Sequence, residues 1–166
     1  MATLIAFPIL IILLILQTVI VSQVPLLHGT ADLILLTITA WALQKHVRTA
    51  WQWGIIGGLL VSFVSALPLG VPLVGYLLVV WFARMLRRRV WQAPILAMFI
   101  ATFFGTLFVN FLNIFTLRLV GTSFSLVEAL NIITLPSVLL NLLLAIPAYA
   151  LMGDLANWLY PEELEV

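Results

Sequence analysis

The residues from Leu4 to Val21, LIAFPILIILLILQTVIV, form a long apolar run without one charged side chain. A helix needs about 20 mostly apolar residues to cross the hydrocarbon core of a bilayer. The run lacks the two-residue alternation of a barrel strand, and backbone polar groups in lipid must be satisfied within the segment. It therefore predicts a membrane-spanning helix. Because no Lys or Arg precedes it, we expect a retained helix rather than a secretory signal.

Further apolar runs follow, separated by segments that contain proline, glycine or charge. Only 8% of the 166 residues are charged, whereas soluble domains contain about 25%. We therefore predict an all-α membrane protein of six transmembrane helices, with residues 1–166 forming a single integral membrane domain. A short helix from Leu126 to Leu135 is expected before the last span, and the short second span should extend by a turn at either end. The predicted spans are 3–22, 31–44, 51–67, 71–86, 94–117 and 136–158.

The basic residues predict how the helices are oriented. Six of the seven lie in the two loops between the second and third spans and between the fourth and fifth spans, whereas Arg118 lies elsewhere. The positive-inside rule puts both loops in the cytoplasm, together with both termini. The six tryptophans lie near the same predicted ends, as expected for aromatic anchors at the membrane interface. The predicted cytoplasmic basic residues are Lys45, Arg48, Arg84, Arg87, Arg88 and Arg89.

Small and polar residues form two stripes on the predicted helices, because spacings of i, i+4, i+8 and i+11 keep side chains on one face. Small residues let helix backbones approach closely, and hydroxyl and amide groups can bond across the contact. The first stripe is a candidate for internal packing or for docking a partner helix. The second, with Asn141 of the last span, is a candidate polar seam or pocket. The stripes are Gly54, Gly58, Ser62 and Ser65 in the third span, and Thr102, Thr106, Asn110 and Asn113 in the fifth.

No ionisable residue lies in the middle of a predicted span, which argues against a proton-coupled carrier. Asp32 is expected at the very start of the second span, where Thr30 or Asp32 would cap the helix. The chain has no cysteine, and His28 and His46 are not arranged as a metal pair. His28 and Asp32 form the one tempting pair for catalysis, but no activated nucleophile accompanies them. We therefore predict no enzymatic activity, no cofactor, no metal and no nucleic acid.

Three stretches carry a family resemblance: ADLILLTITAWAL, WGIIGGLLVSFVSALPLGVPLVGYLLVVWFARMLRRR and LPSVLLNLLLAIPAYALM. They resemble the bacterial rod shape-determining protein MreD family over most of the chain. Two positions depart from the family pattern, because Ala31 stands where many members have Pro and Ser62 where many have Asp. The matching features are Asp32-Leu33, the glycines Gly54, Gly57 and Gly58 before Pro68-Leu69-Gly70, Asn141, and Pro147-Ala148-Tyr149.

The resemblance implies a non-enzymatic scaffold in the bacterial cytoplasmic membrane that belongs to the cell-elongation machinery and regulates peptidoglycan synthesis. The expected partners are the membrane helix of MreC and, through it, MreB and RodA with a class B penicillin-binding protein. The family's fold is similar to that of the substrate-binding S-component of energy-coupling-factor vitamin transporters, and that likeness supplies an alternative function. S-components use a small-xxx-small motif on the first helix, which Ala2 and Ala6 match only at its extreme end. A lipid flippase or channel subunit is a third alternative.

Overall fold

A computed structural model describes residues 2–19, 28–90, 92–121 and 125–161. The described chain is all-helical, with 83% helix. Its last helix, α6, consists of three consecutive pieces: Leu126–Ala129, the π-helical turn Leu130–Thr134, and Leu135–Leu159. The other five helices are α1 (Ala2–Val19), α2 (Leu33–Leu43), α3 (Ala50–Val64), α4 (Val71–Arg89) and α5 (Pro94–Leu119).

Three helices are long and apolar enough to cross a membrane, namely α1, α5 and α6. The apolar helices α2 and α3 are shorter, with 11 and 15 residues. Large apolar side chains cover the outside of the bundle, as on α1, where most residues point outward and only Ala2, Ala6 and Leu10 are buried. Such an exterior fits a hydrocarbon environment and would be costly in water.

The centre of the bundle is the short helix α2. Every residue from Ile34 to Leu43 is buried, and α2 contacts each of the other five helices. Helix α2 is apolar on every face, and such a helix is stable where protein surrounds it on all sides, which explains its central position. The expectation that this span extends at both ends is wrong: at a rise of 1.5 Å per residue, α2 covers about 16 Å, roughly half of a hydrocarbon core. The Asp32 side chain accepts a hydrogen bond from the Leu35 N–H and so caps the helix at this point.

The residues just before α2 run along the first part of α6. His28 N–H donates to the carbonyl of Ile132 at 3.2 Å, and that carbonyl is available because Pro136, four residues further on, has no N–H to offer. The helix widens into the π-helical turn at this place and then continues, with Leu135 N–H donating to the Leu130 carbonyl. The short helix expected from Leu126 to Leu135 is therefore continuous with the last span.

Gly29 is held against the same turn of α6. A Cβ atom at this position would lie 2.6 Å from the Ser137 nitrogen and 2.7 Å from the Ile133 oxygen. These are backbone atoms, so they cannot move aside as a flexible side chain would. Only glycine allows the chain to approach α6 this closely before α2 begins.

The basic residues gather at one end of the bundle. Helix α4 continues through Arg89, so all four arginines predicted in a loop are helical, and the last turn contains Arg87, Arg88 and Arg89, where positive charge is favourable. The Arg87 guanidinium donates to the carbonyls of Gln44 and Val47, which ties α4 to the loop between α2 and α3. Both basic segments therefore meet at the same end, as predicted.

Two of the tryptophans are internal and not membrane anchors, which corrects the expectation of an aromatic belt for these two. Trp41 and Trp53 are fully buried, and their rings stack with centroids 4.5 Å apart. The Trp53 indole N–H donates to the Ala2 carbonyl at 3.2 Å, which fastens the start of α1 to α3. Trp81 and Trp158 are exposed, whereas Trp91 lies outside the described residues.

Candidate functional site

A polar cavity of about 200 Å³ lies beyond the N-terminal end of α2. Among the described residues, the central helix begins at Leu33, partway through the bundle, and no other helix occupies the space beyond its N-terminal end. All six helices or their flanking segments contribute to the wall. The polar lining residues are Gln17, Thr30, Asp32, Ser65, Tyr76, Thr106, Asn110, Asn113, Ser137 and Asn141.

Asp32 is the charged group of this cavity, and its two carboxylate oxygens are both engaged. Oδ1 accepts from the Leu35 N–H at 2.9 Å, and Oδ2 accepts from the Tyr76 hydroxyl at 2.7 Å. The Gln17 Oε1 atom of α1 accepts from the neighbouring Ile34 N–H at 3.3 Å. The Asp32 carboxylate thus joins α2 and α4, and Gln17 bonds to the same end of α2. Buried carboxylates need such partners, because isolated charges are costly away from water.

Asn141 connects this group to the middle of the bundle. Its Oδ1 accepts from the Asp32 N–H at 2.8 Å, and its Nδ2 donates to Thr106 Oγ1 at 2.9 Å. Thr106 lies halfway along the 26 residues of α5. The position of Asp32 therefore differs from the prediction: it caps α2 as expected, but it lies beside the midpoint of a membrane-length helix and faces a polar cavity.

The sequence led to the expectation of no ionisable group at this depth because α2 was assumed to span the bilayer. A cap on a full-length helix lies at the membrane surface, whereas a cap on a half-length helix lies inside. Short helices that begin within the bilayer are typical of binding sites in membrane transporters, where they present free N–H groups to a ligand. Here Asp32 itself occupies that helix end, so the N-terminus of α2 is already neutralised.

Two asparagines leave hydrogen-bonding capacity in the cavity. Asn113 Oδ1 is buried without a hydrogen-bond partner, and the side chain of Asn110 forms no hydrogen bond within the described residues. A buried polar atom without a partner is unfavourable and is usually satisfied by water or by a ligand. The cavity is large enough for several water molecules or one small polar molecule.

The described residues that line the cavity do not form the arrangement of a hydrolytic or metal site. Its hydroxyl groups are not paired with a histidine among the lining residues, and the described residues contain no group of three His, Cys, Asp or Glu that could hold a metal. The pair suggested by the sequence is not formed, because His28 is exposed while Asp32 bonds inward to Tyr76. What the arrangement can do chemically is hold helices together and bind a polar molecule.

The second stripe is largely gathered at this site. Thr106, Asn110, Asn113 and Asn141 all line the cavity. Thr102 does not: it is fully buried one turn away along α5, and its Oγ1 has no hydrogen-bond partner.

The first stripe lies against α4 of the same chain. A Cβ on Gly58 would come within 2.6 Å of the Leu73 Cα atom, and one on Gly54 within 2.9 Å of Val80 Cγ2. Ser62 donates from its hydroxyl to the Gly58 carbonyl at 2.7 Å. Ser65 ends α3 and lines the cavity.

Sequence reasoning missed several members of the site, although a signal for two of them was present. Gln17 and Tyr76 are polar side chains within apolar helices, and polar groups in such helices face the bundle interior or a cavity. Ser137 accepts from the Thr30 N–H at 3.2 Å and belongs to the same wall. Nothing in its spacing distinguishes it from other serines.

A comparison of the chain with protein families, with curated proteins and with solved structures finds no match. The geometry supplies a bundle with an apolar exterior and a hydrogen-bonded carboxylate at its centre.

Proposed function

We propose that this protein is a non-enzymatic membrane scaffold that holds the membrane helix of MreC in the bacterial elongation complex. The observation that carries the proposal is the state of Asp32, whose two oxygens are used by the Leu35 N–H and the Tyr76 hydroxyl. A carboxylate engaged in this way ties α2 to α4, which is what a structural role requires. The mid-depth position of Asp32 thus remains compatible with a structural role.

The proposed arrangement is a multi-pass protein of the bacterial cytoplasmic membrane with both termini inside. Several contacts support an even number of crossings. The start of α1 reaches Trp53 through the Ala2 carbonyl, and the end of α6 places Tyr160 beside Trp41, with ring centroids 6.4 Å apart. Both ends of the described chain thus lie at the end of the bundle that carries the basic residues, the side that the positive-inside rule assigns to the cytoplasm.

The partner helix is expected to contact the outer surface of the bundle rather than the glycine stripe. Gly54 and Gly58 are covered by α4, so a second helix has no access to them. In lipid, helices associate through close packing and polar contacts rather than through burial from water. The complex would then connect to MreB and to RodA with its class B penicillin-binding protein through MreC.

A cross-linking scan tests this proposal. A photoreactive amino acid is placed at one exposed position on each of four helices, Phe63, Phe103, Leu143 and Phe7, and at the buried Ala83 as a control. The proposal expects covalent capture of MreC from neighbouring outer positions and none from Ala83. After co-expression with MreC, cross-linking from no outer position would contradict a specific docking face. Equal cross-linking from every position would also contradict it.

A second candidate function is the binding of a small polar molecule, as in an S-component, and the polar cavity is the observation that favours it. The unpaired Asn113 Oδ1 and the unbonded Asn110 are free to contact such a ligand. The burial of the first helix's small-residue pair weighs against this candidate. Ala2 and Ala6 are buried within the bundle, so they cannot also contact the energising module of a transporter.

Native mass spectrometry of the gently purified protein separates the two candidates. A bound vitamin-sized molecule that is lost in Asn110→Ala and Asn113→Ala would support the second candidate. These substitutions remove no hydrogen bond within the described residues, so the fold should survive them. A spectrum without a small molecule, from protein that retains MreC, would support the scaffold.

A further inference from the structure

An apolar groove of about 390 Å³ runs between α4 and α5 on the outside of the bundle. Gly105 forms its floor, where a Cβ would lie 3.2 Å from Val79 Cγ1, so the two helices approach closely. Aromatic side chains form the walls, and Trp81 and Phe104 are more than half exposed. The groove is lined by Leu78, Val79, Trp81, Phe82, Phe104, Gly105 and Phe108.

Two arginines lie directly beyond the groove along α4. Arg88 follows Trp81 by seven residues and Arg89 follows Phe82 by seven, a spacing that keeps each pair within about 20° on the helix surface. Both guanidinium groups are exposed, and no acidic side chain among the described residues pairs with them. Arg87, in contrast, points inward to the Gln44 and Val47 carbonyls. Two positive charges with no acidic partner among the described residues therefore lie at one end of an apolar channel.

The distance between the charges and the far end of the groove matches one lipid leaflet. From Leu78 to Arg88 the helix rises about 15 Å. Half of a hydrocarbon core is also about 15 Å. A phospholipid whose phosphate lies at the level of Arg88 would therefore place an acyl chain along Trp81 and down to Leu78.

We propose that the α4–α5 groove is a binding site for an anionic phospholipid. The phosphate contacts Arg88 and Arg89, because guanidinium groups bind phosphate oxygens in bidentate geometry. One acyl chain occupies the groove over Gly105, between Trp81 and Phe108. The site combines positive charge at one end with an apolar channel as deep as one lipid leaflet. A soluble phosphate would contact only the charged end, and a charged peptide would not fill the apolar channel. It is independent of MreC and of the polar cavity.

The charge contribution is tested by lipid titration of the purified protein, with phosphatidylglycerol as the probe. A basic residue near a membrane surface contributes about 1 kcal/mol to the binding of anionic lipid, so Arg88→Gln with Arg89→Gln should lower affinity about 25-fold. The control is Lys45→Gln with Arg48→Gln, which removes two exposed charges at the same end but away from the groove. An equal loss in both variants, or equal wild-type affinity for phosphatidylcholine, would overturn the site.

The position of the acyl chain is tested by fluorescence quenching and by substitutions along the groove. Phosphatidylglycerol with brominated acyl chains should quench the emission of Trp81, and the quenched fraction should fall in Trp81→Phe. Phe108→Ala should weaken binding of long-chain phosphatidylglycerol several-fold, whereas Phe111→Ala, an exposed phenylalanine of the same helix outside the groove, should not. Quenching that is unchanged in Trp81→Phe would overturn the proposed path of the chain.

Discussion

Replacement of Asn141 by alanine should destabilise the bundle more than any other loss of an asparagine from the cavity. The change removes the acceptor of the Asp32 N–H at 2.8 Å and the donor to Thr106 Oγ1 at 2.9 Å. It also leaves the Asp32 N–H near mid-depth without a partner in the protein.

The magnitude follows from these two bonds. Hydrogen bonds between transmembrane helices contribute about 0.6 kcal/mol each on average, and a buried donor left unpaired costs about 1–3 kcal/mol. We therefore expect Asn141→Ala to lower the free energy of unfolding by about 2 kcal/mol. In a chain of this size that corresponds to a fall in Tm of about 4–8 °C. Thermal unfolding in mild detergent, followed through tryptophan emission, measures the shift, because Trp41 and Trp53 are buried.

Asn110→Ala is the matched control for this prediction. Asn110 lines the same cavity, but its side chain forms no hydrogen bond within the described residues, so its removal should change Tm by less than about 1 °C. Asn113→Ala removes an unpaired buried oxygen and should be neutral or stabilising. Equal losses of stability at positions 141 and 110 would refute the assignment of the hydrogen bonds.

Three further substitutions test the packing and the carboxylate. Gly58→Ala should lower the free energy of unfolding by about 1–3 kcal/mol, because its Cβ would lie 2.6 Å from a backbone atom of α4. Gly75→Ala is the control and should leave stability unchanged, because its Cβ would make an ordinary contact at 3.4 Å. Thermal unfolding of both variants measures the difference. Gly29→Ala should be destabilising to a similar extent by the same assay, since its Cβ would meet backbone atoms of α6. Tyr76→Phe should cost about 1–2 kcal/mol, as it removes only the hydroxyl bond to Asp32; a stability equal to wild type would show that water replaces this bond.

The helical fold follows from the sequence because apolar runs and turn residues are local signals. The start of α5 at Pro94 and the turn at Gly70, which has a φ of 97°, lie where proline and glycine predict them. The short α2 and the π-helical turn were not predicted. Both depend on contacts between distant segments, such as that of Gly29 with Ser137, which no local pattern records.

The cavity could be predicted only in part. The spacing of Thr106, Asn110 and Asn113 places them on one face of a helix, and the cost of a lone amide in lipid indicates that this face is internal. The depth of Asp32 could not be predicted, because it depends on where α2 begins relative to α5. A residue at the end of a short central helix has the local sequence of a surface cap but the surroundings of the interior.

The most direct test of the scaffold proposal is co-purification from native membranes, with mass spectrometry of the proteins and small molecules that remain bound. We predict that MreC is recovered with the wild-type chain and with Asp32→Asn, in which the carboxylate is lost but the Oδ1 cap can remain. Recovery of a vitamin and an energising transporter module, with no MreC, would contradict the scaffold. Recovery of MreC with the wild type but not with a folded Asp32→Asn variant would contradict a purely structural carboxylate.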